Sequence, residues 1–120
     1  MFQEIRLVNN KTITGYNKSH VGIVEIYWEN TWKIIGDNYW TIADSNVVCH
    51  YLGYEKAAEN MTFALQWSRT YLSIDFKCNG DEVELNDCRH DKREAQSTTV
   101  KHGVGVRCIV KGIKPKCPVL

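Results

Sequence analysis

Residues 32–54, WKIIGDNYWTIADSNVVCHYLGY, decide the fold. Trp32-Lys33-Ile34-Ile35 reads as a short strand, and Gly36-Asp37-Asn38 is turn chemistry, tolerant of tight or left-handed backbone. Thr41-Ile42-Ala43-Asp44 carries the helix-start signal, a hydroxyl followed three residues later by a carboxylate. The spacing predicts a helix over 41–52 whose apolar stripe is Ile42, Val48, Cys49 and Leu52, interrupted by Ser45. Gly53 stands where a helix C-terminus wants a left-handed residue. A cysteine on the buried stripe of the one convincing helix is a candidate covalent anchor.

Outward from this stretch, alternation is the main signal. Residues 4–8 (EIRLV) read as a strand. Residues 23–28 (IVEIYW) read as another, with Val24, Ile26 and Trp28 on one face, and Glu29-Asn30 turns it back into 32–35. Residues 9–20 are polar and read as a loop. Residues 55–70 are ambiguous between a short helical turn and loop anchors. Residues 71–78 alternate as a strand, Asn79-Gly80-Asp81 is a turn, and 83–88 suggests one helical turn. Residues 89–102 read as the longest loop. Val104, Val106, Cys108 and Val110 then alternate as a last strand with Cys108 inward. Residues 111–120 hold both prolines and read as a linker after a domain of residues 1–110. The expected class is α+β, antiparallel strands around one helix.

At 120 residues the chain suits one domain. A net charge of +1 with 24% charged residues gives no reason to expect nucleic acid as partner. No apolar run reaches the ~18 residues of a membrane span, and the first residues, MFQEIR, lack a signal peptide's apolar core. Five cysteines (Cys49, Cys78, Cys88, Cys108, Cys117) and three sequons (at Asn10, Asn17 and Asn60) favour an oxidising, extracellular compartment. The expectation is therefore an excised piece of a longer secreted or membrane-anchored protein.

Cys49 and Cys108 both point inward. Joining them would staple helix to sheet across a loop of about 60 residues, worth about 4 kcal/mol by chain-entropy arithmetic, and a Cys78–Cys88 bridge would be worth about 3 kcal/mol. Those are large shares of the ~5–15 kcal/mol that holds a typical domain together. Cys117 is left over, for a partner in another segment or molecule. A zinc set of Cys78, Cys88, His90 and Cys108 lacks the close pairs of structural sites. Cys49 and His50, adjacent on a helix, point apart and make no nucleophile–base pair.

These residues, taken together, resemble the scavenger receptor cysteine-rich (SRCR) domain from Ile5 to Cys108. Ile5–Asn9 is similar to the family's opening strand, and Gly22-Ile23-Val24-Glu25-Ile26 to its G-R-V-E-V. Residues 32–53 resemble W-G-T-V-C-D-D-x-W and the helix ending V-V-C-x-x-L-G. Cys78-Asn79-Gly80, Leu85 and Cys88-Arg89-His90 resemble R-C-x-G … L-x-x-C-x-H, and Gly105-Val106-Arg107-Cys108 the A-G-V-R-C ending. One family cysteine falls at Gly36, and its usual partner falls near Thr98, so one bridge is absent as a unit. Tyr54 replaces a cysteine of the eight-cysteine group, which makes the six-cysteine group the nearer. The resemblance implies a curved antiparallel sheet cradling one main helix, with Cys49–Cys108 and Cys78–Cys88 paired.

It also implies an extracellular ligand-recognition module, without catalysis, binding protein or glycan and other polyanionic partners within a multidomain chain. The alternative is a non-catalytic accessory domain of a secreted enzyme such as a serine protease or amine oxidase. Many relatives bind Ca²⁺ through paired acidic residues; here the matching positions are Asp37, Asn38 and His102. One carboxylate and an amide make a weak cage for a cation that wants several charged oxygens, so Asp37-Asn38 is expected to serve as a turn and no cofactor is expected. The candidate ligand-binding residues are Arg89, Lys92, Arg93 and Lys101, on the 89–102 segment, among Asp87, Asp91 and Glu94 that dilute their field. Trp28, Trp32 and Trp40 are expected in the core and Trp67 at the surface.

Overall fold

Thr41 begins the helix with a reciprocal cap: its hydroxyl accepts the N–H of Asp44 at 3.4 Å, and its own N–H donates to Asp44 Oδ2 at 2.9 Å. In this computed structural model, which describes residues 4–9, 18–36, 40–72, 74–92 and 99–110, the helix (α1) spans Ile42–Tyr51. Gly53, at φ +94°, ends it. The Gly53 N–H donates to His50 O at 3.0 Å and the Tyr54 N–H to Cys49 O at 2.9 Å, satisfying carbonyls the helix would orphan.

Among the described residues seven strands accompany the helix: β1 (Glu4–Val8), β2 (Val21–Trp28), β3 (Thr31–Ile34), β4 (Lys56–Thr70), β5 (Ile74–Lys77), β6 (Arg89–Lys92) and β7 (Thr99–Ile109). A single turn of 3-10 helix, Leu85–Asp87, precedes β6. The main sheet runs β1-β2-β7-β4 with β3 also on β2, all antiparallel, and β5 and β6 form a separate ribbon. Glu29 and Asn30 both take positive φ (53° and 64°) in the two-residue β2–β3 turn, whose twist suits a hairpin.

The helix lies on one face of the sheet. Val47, Val48 and Cys49 pack there with Ile5, Val24, Ile26, Val104, Val106 and Cys108; each such aliphatic side chain is worth about 1.5–3 kcal/mol when fully buried. The Cys49–Cys108 disulfide crosses this interface, Cα to Cα 5.6 Å.

The opposite face holds a smaller cluster of Ile23, Ile34 and Phe63. Gly105 is required beneath it, because a Cβ there would overlap the Phe63 ring and sit 2.7 Å from the Gly22 carbonyl oxygen. Glu25, 2% exposed, is paired on this face by Arg6 (Nε to Oε1 2.8 Å), whose guanidinium lies 3.8 Å from the centroid of the Trp32 ring. Trp32 is half-buried beneath a cation, whereas Trp28 and Trp40 pack against the main core.

Several expectations need correcting. The buried stripe of α1 omits Ile42, which is 46% exposed, and includes Asp44, Ser45 and Val47. β2 is buried on both faces from Val21 to Ile26. Residues 56–70 are one strand; a bulge between Ala57 and Glu59 shifts its register, after which Met61, Phe63 and Leu65 turn to the smaller cluster. The 89–102 segment is shorter as a loop than expected, since β6 takes its first four residues and β7 starts at Thr99. Val110, 50% exposed, lies beyond the inward alternation of β7. The side chain of Trp67 lies outside the described residues.

Candidate functional site

The Cys78–Cys88 disulfide, Cα to Cα 4.7 Å, closes a loop between β5 and β6. Bridging 78 to 88 puts residue 77 opposite 89, and the ribbon register is Lys77↔Arg89, Phe76↔His90, Asp75↔Asp91 and Ile74↔Lys92. Alternation then sorts the side chains. Phe76, 3% exposed, turns inward, its ring 6.0 Å from that of Trp40 and 6.0 Å from that of His90. Lys77, Arg89 and Asp91 share the outer face and are exposed.

Two cations therefore stand directly opposite each other on that face, and two carboxylates do the same one pair along. Direct like-charge pairs repel, and the attraction runs diagonally: Lys77 Nζ reaches Asp91 Oδ2 at 2.9 Å. The Lys77 hydrogen bond and charge hold the Asp91 carboxyl below its ordinary range, with Arg89 adding to the effect. Arg89 makes no ion pair among the described residues. A guanidinium displayed in this way can grip a carboxylate or sulfate through two parallel hydrogen bonds. An open depression of about 390 Å³, lined by Thr41, Asp75, Phe76, Lys77 and Cys78, adjoins the ribbon at the start of α1.

The loop beneath the ribbon is tied to the helix. Asp44, fully buried, accepts the Cys78 N–H through Oδ1 at 3.1 Å. Burial pushes its carboxyl above the ordinary aspartate range, against the lowering pull of the Thr41 and Cys78 N–H groups. Glu82 accepts the N–H groups of Asn79 (2.9 Å to Oε2) and Gly80 (2.9 Å to Oε1). Those bonds, led by Asn79, hold its carboxyl below the ordinary glutamate range.

Cys78, Glu82 and Cys88 bring their donor atoms within 4.8 Å of one another, but both sulfurs are spent in a disulfide and offer no thiolate to a metal. The same holds for Cys108 in the zinc set considered above. His90 faces Phe76, with Nδ1 2.9 Å from the Cys88 carbonyl oxygen. His102 is exposed on β7 opposite Ala64; Asp37 and Asn38, the other two calcium positions, lie outside the described residues. So do Arg93, Cys117, Asn10 and Asn17, the side chains of Lys92 and Lys101, and the 111–120 tail. Of the expected basic residues, the structure thus describes Arg89 alone in full; it adds Lys77, which was not anticipated, and makes Asp91, expected only to dilute the field, a direct partner of Lys77. The signal for Lys77 was in the cysteine spacing, since a 78–88 bridge makes 77 and 89 cross-strand neighbours.

The family model for the scavenger receptor cysteine-rich domain matches residues 14–109. The galectin-3-binding protein of Mesocricetus auratus is 36% identical over 87 residues, 71% of this chain and 14% of that protein. The macrophage receptor MARCO of Mesocricetus auratus is 31% identical over 107 residues, 89% of this chain and 20% of that protein. The chain thus spans no more than a fifth of either relative. The crystal structure of the third SRCR domain of murine neurotrypsin superposes with a TM-score of 0.66 at 25% identity, covering 90% of this chain and 96% of that one. The matched span, the antiparallel sheet around one helix and the disulfides agree: the chain belongs to the scavenger receptor cysteine-rich domain family.

Proposed function

We propose that this domain is an extracellular ligand-recognition module that does no chemistry itself and works within a larger chain. Its ligand is a protein or glycan carrying anionic groups, and the β5–β6 ribbon is the surface that receives them. The observation that carries the reading is the exposed cross-strand pair Lys77 and Arg89, held in register by the disulfide at its base. The two disulfides support the extracellular placement, as such bonds persist in oxidising compartments. No helix among the described residues is long and apolar enough to cross a membrane.

The ribbon's charge is balanced, so affinity should come from geometry and fall with salt, with no broad basic field to supplement it. Binding to immobilised heparin, a sulfated polysaccharide, tests this. Arg89→Ala should weaken retention several-fold, and Asp91→Asn should strengthen it by releasing Lys77. The opposite sign of the second change separates recognition from damage to the fold. If neither substitution alters retention, the ribbon is not the binding surface.

A further inference from the structure

Asn60 begins the one sequon, Asn60-Met61-Thr62, that falls within the described residues, and its side chain occupies a polar relay. Trp40 donates its indole N–H to Ser45 Oγ at 2.7 Å, and the Ser45 hydroxyl donates to Asn60 Oδ1. Ser45 is fully buried while Asn60 is exposed. The carboxamide therefore turns its oxygen inward and leaves Nδ2 on the solvent side. The bulge after Ala57 causes this: it sets Glu59 opposite Arg107 and Asn60 opposite Val106, on the helix-bearing face. Thr62, opposite Val104, lies on the same face and is also exposed.

We infer that Asn60 is an N-linked glycosylation site whose sugar the folded domain accepts without losing any contact. In the reaction, Asn60 Nδ2 bonds to the anomeric carbon of an oligosaccharide carried on a lipid diphosphate. The bond from that carbon to the diphosphate oxygen breaks, the lipid diphosphate leaves, and Nδ2 gives up one proton. The acceptor is the amide nitrogen, and Oδ1 keeps its lone pairs for Ser45, so the relay to Trp40 survives modification. Among the described residues the fold uses neither Nδ2 nor the Thr62 hydroxyl in a hydrogen bond, so a sugar on Nδ2 displaces no bond of the folded domain. Transfer precedes folding in the secretory route, and the strand conformation of β4 is no obstacle to it. The inference rests on the extracellular placement proposed above.

The test expresses the chain behind a secretory leader in a eukaryotic cell. Glycans are released with a peptide N-glycosidase in heavy-oxygen water, and the peptide carrying residue 60 is read by mass spectrometry. The expected result is labelled aspartate at position 60, lost in Thr62→Ala and retained in Thr62→Ser. Thr62→Ala leaves Asn60 and its bond to Ser45 in place, so it should melt together with wild-type protein trimmed by an endoglycosidase that leaves the first sugar on the intact amide. Secreted protein with both disulfides closed and unmodified asparagine at 60 would overturn the site and leave the extracellular reading standing. Chain that reaches the medium only with free thiols at Cys49, Cys78, Cys88 and Cys108 would overturn both.

Discussion

Asp44 is bonded to the backbone N–H of Cys78, 34 residues away in sequence, at 3.1 Å. One buried carboxylate thus caps the helix through Thr41 and anchors the disulfide loop on which the ribbon stands. Asp44→Ala would orphan two backbone N–H groups, and a buried unsatisfied donor costs about 1–3 kcal/mol. Denaturant unfolding should show a loss of about 2 kcal/mol or more. Asp44→Asn should lose less, since it sheds a buried charge while keeping one acceptor. Because burial raises the folded-state pKa of Asp44, the native state holds its proton more tightly than the unfolded chain. Wild-type stability from this group falls as pH rises from the ordinary aspartate range through the raised value. The deficit of Asp44→Asn should narrow over that window; a deficit that widens would contradict the assignment.

Glu82 should show the reverse slope. Its folded-state pKa is lowered by the Asn79 and Gly80 N–H groups. The stabilisation is therefore complete above the ordinary glutamate value and is lost as pH falls through the lowered one. Acid titration followed by thermal melting should show a shallower acid-side decline for Glu82→Gln than for wild type. Parallel curves would mean that the turn does not depend on the carboxylate.

Gly105→Ala would push a methyl group against Phe63 and the Gly22 carbonyl oxygen. Overpacking of this kind costs about 1–3 kcal/mol. Combined with Phe63→Leu, the loss should be smaller than the sum of the two single losses, because the ring that clashes has gone. Strict additivity in a double-mutant cycle would place the clash elsewhere.

Removing the staple should be costly. Cys49→Ala opens a loop with a sequence separation of 59, which chain-entropy arithmetic values at about 4 kcal/mol. The partner Cys108 is 1% exposed, so its freed thiol should label quickly only in denaturant. A variant that melts within a degree or two of wild type would refute the stapling argument.

What was legible in the sequence is what hydrophobicity and capping chemistry encode. Thr41 to Asp44, Gly53, the Glu29-Asn30 turn and the inward cysteines read correctly because each is a local signal. Ile42 misled because α1 is buried through polar groups at its N-terminal end, where Asp44 and Ser45 serve distant partners that a hydropathy stripe ignores. The 56–70 strand was obscured by its bulge, which breaks a period of two at Ala57 and Glu59. Residues 71–78 read as a strand and hold β5, but β6 hid in a polar segment because its outer face is solvated, and only the cysteine spacing encodes the register of the ribbon. Asn60 was legible as a motif, but its hydrogen bond to Ser45 required the fold.

The Cys49–Cys108 disulfide also decides how the domain would respond to being pulled. Tension entering before Cys49 and leaving after Cys108 passes from sulfur to sulfur, bypassing the 59-residue separation between them. About half of the chain, including the ribbon and all but the last residues of β7, therefore bears no load. Stretching would strip β1, β2 and β3 while the disulfide loop held its own sequence in place. In a multidomain chain such a module is a short tether with limited extensibility, and reduction would roughly double the length it can yield.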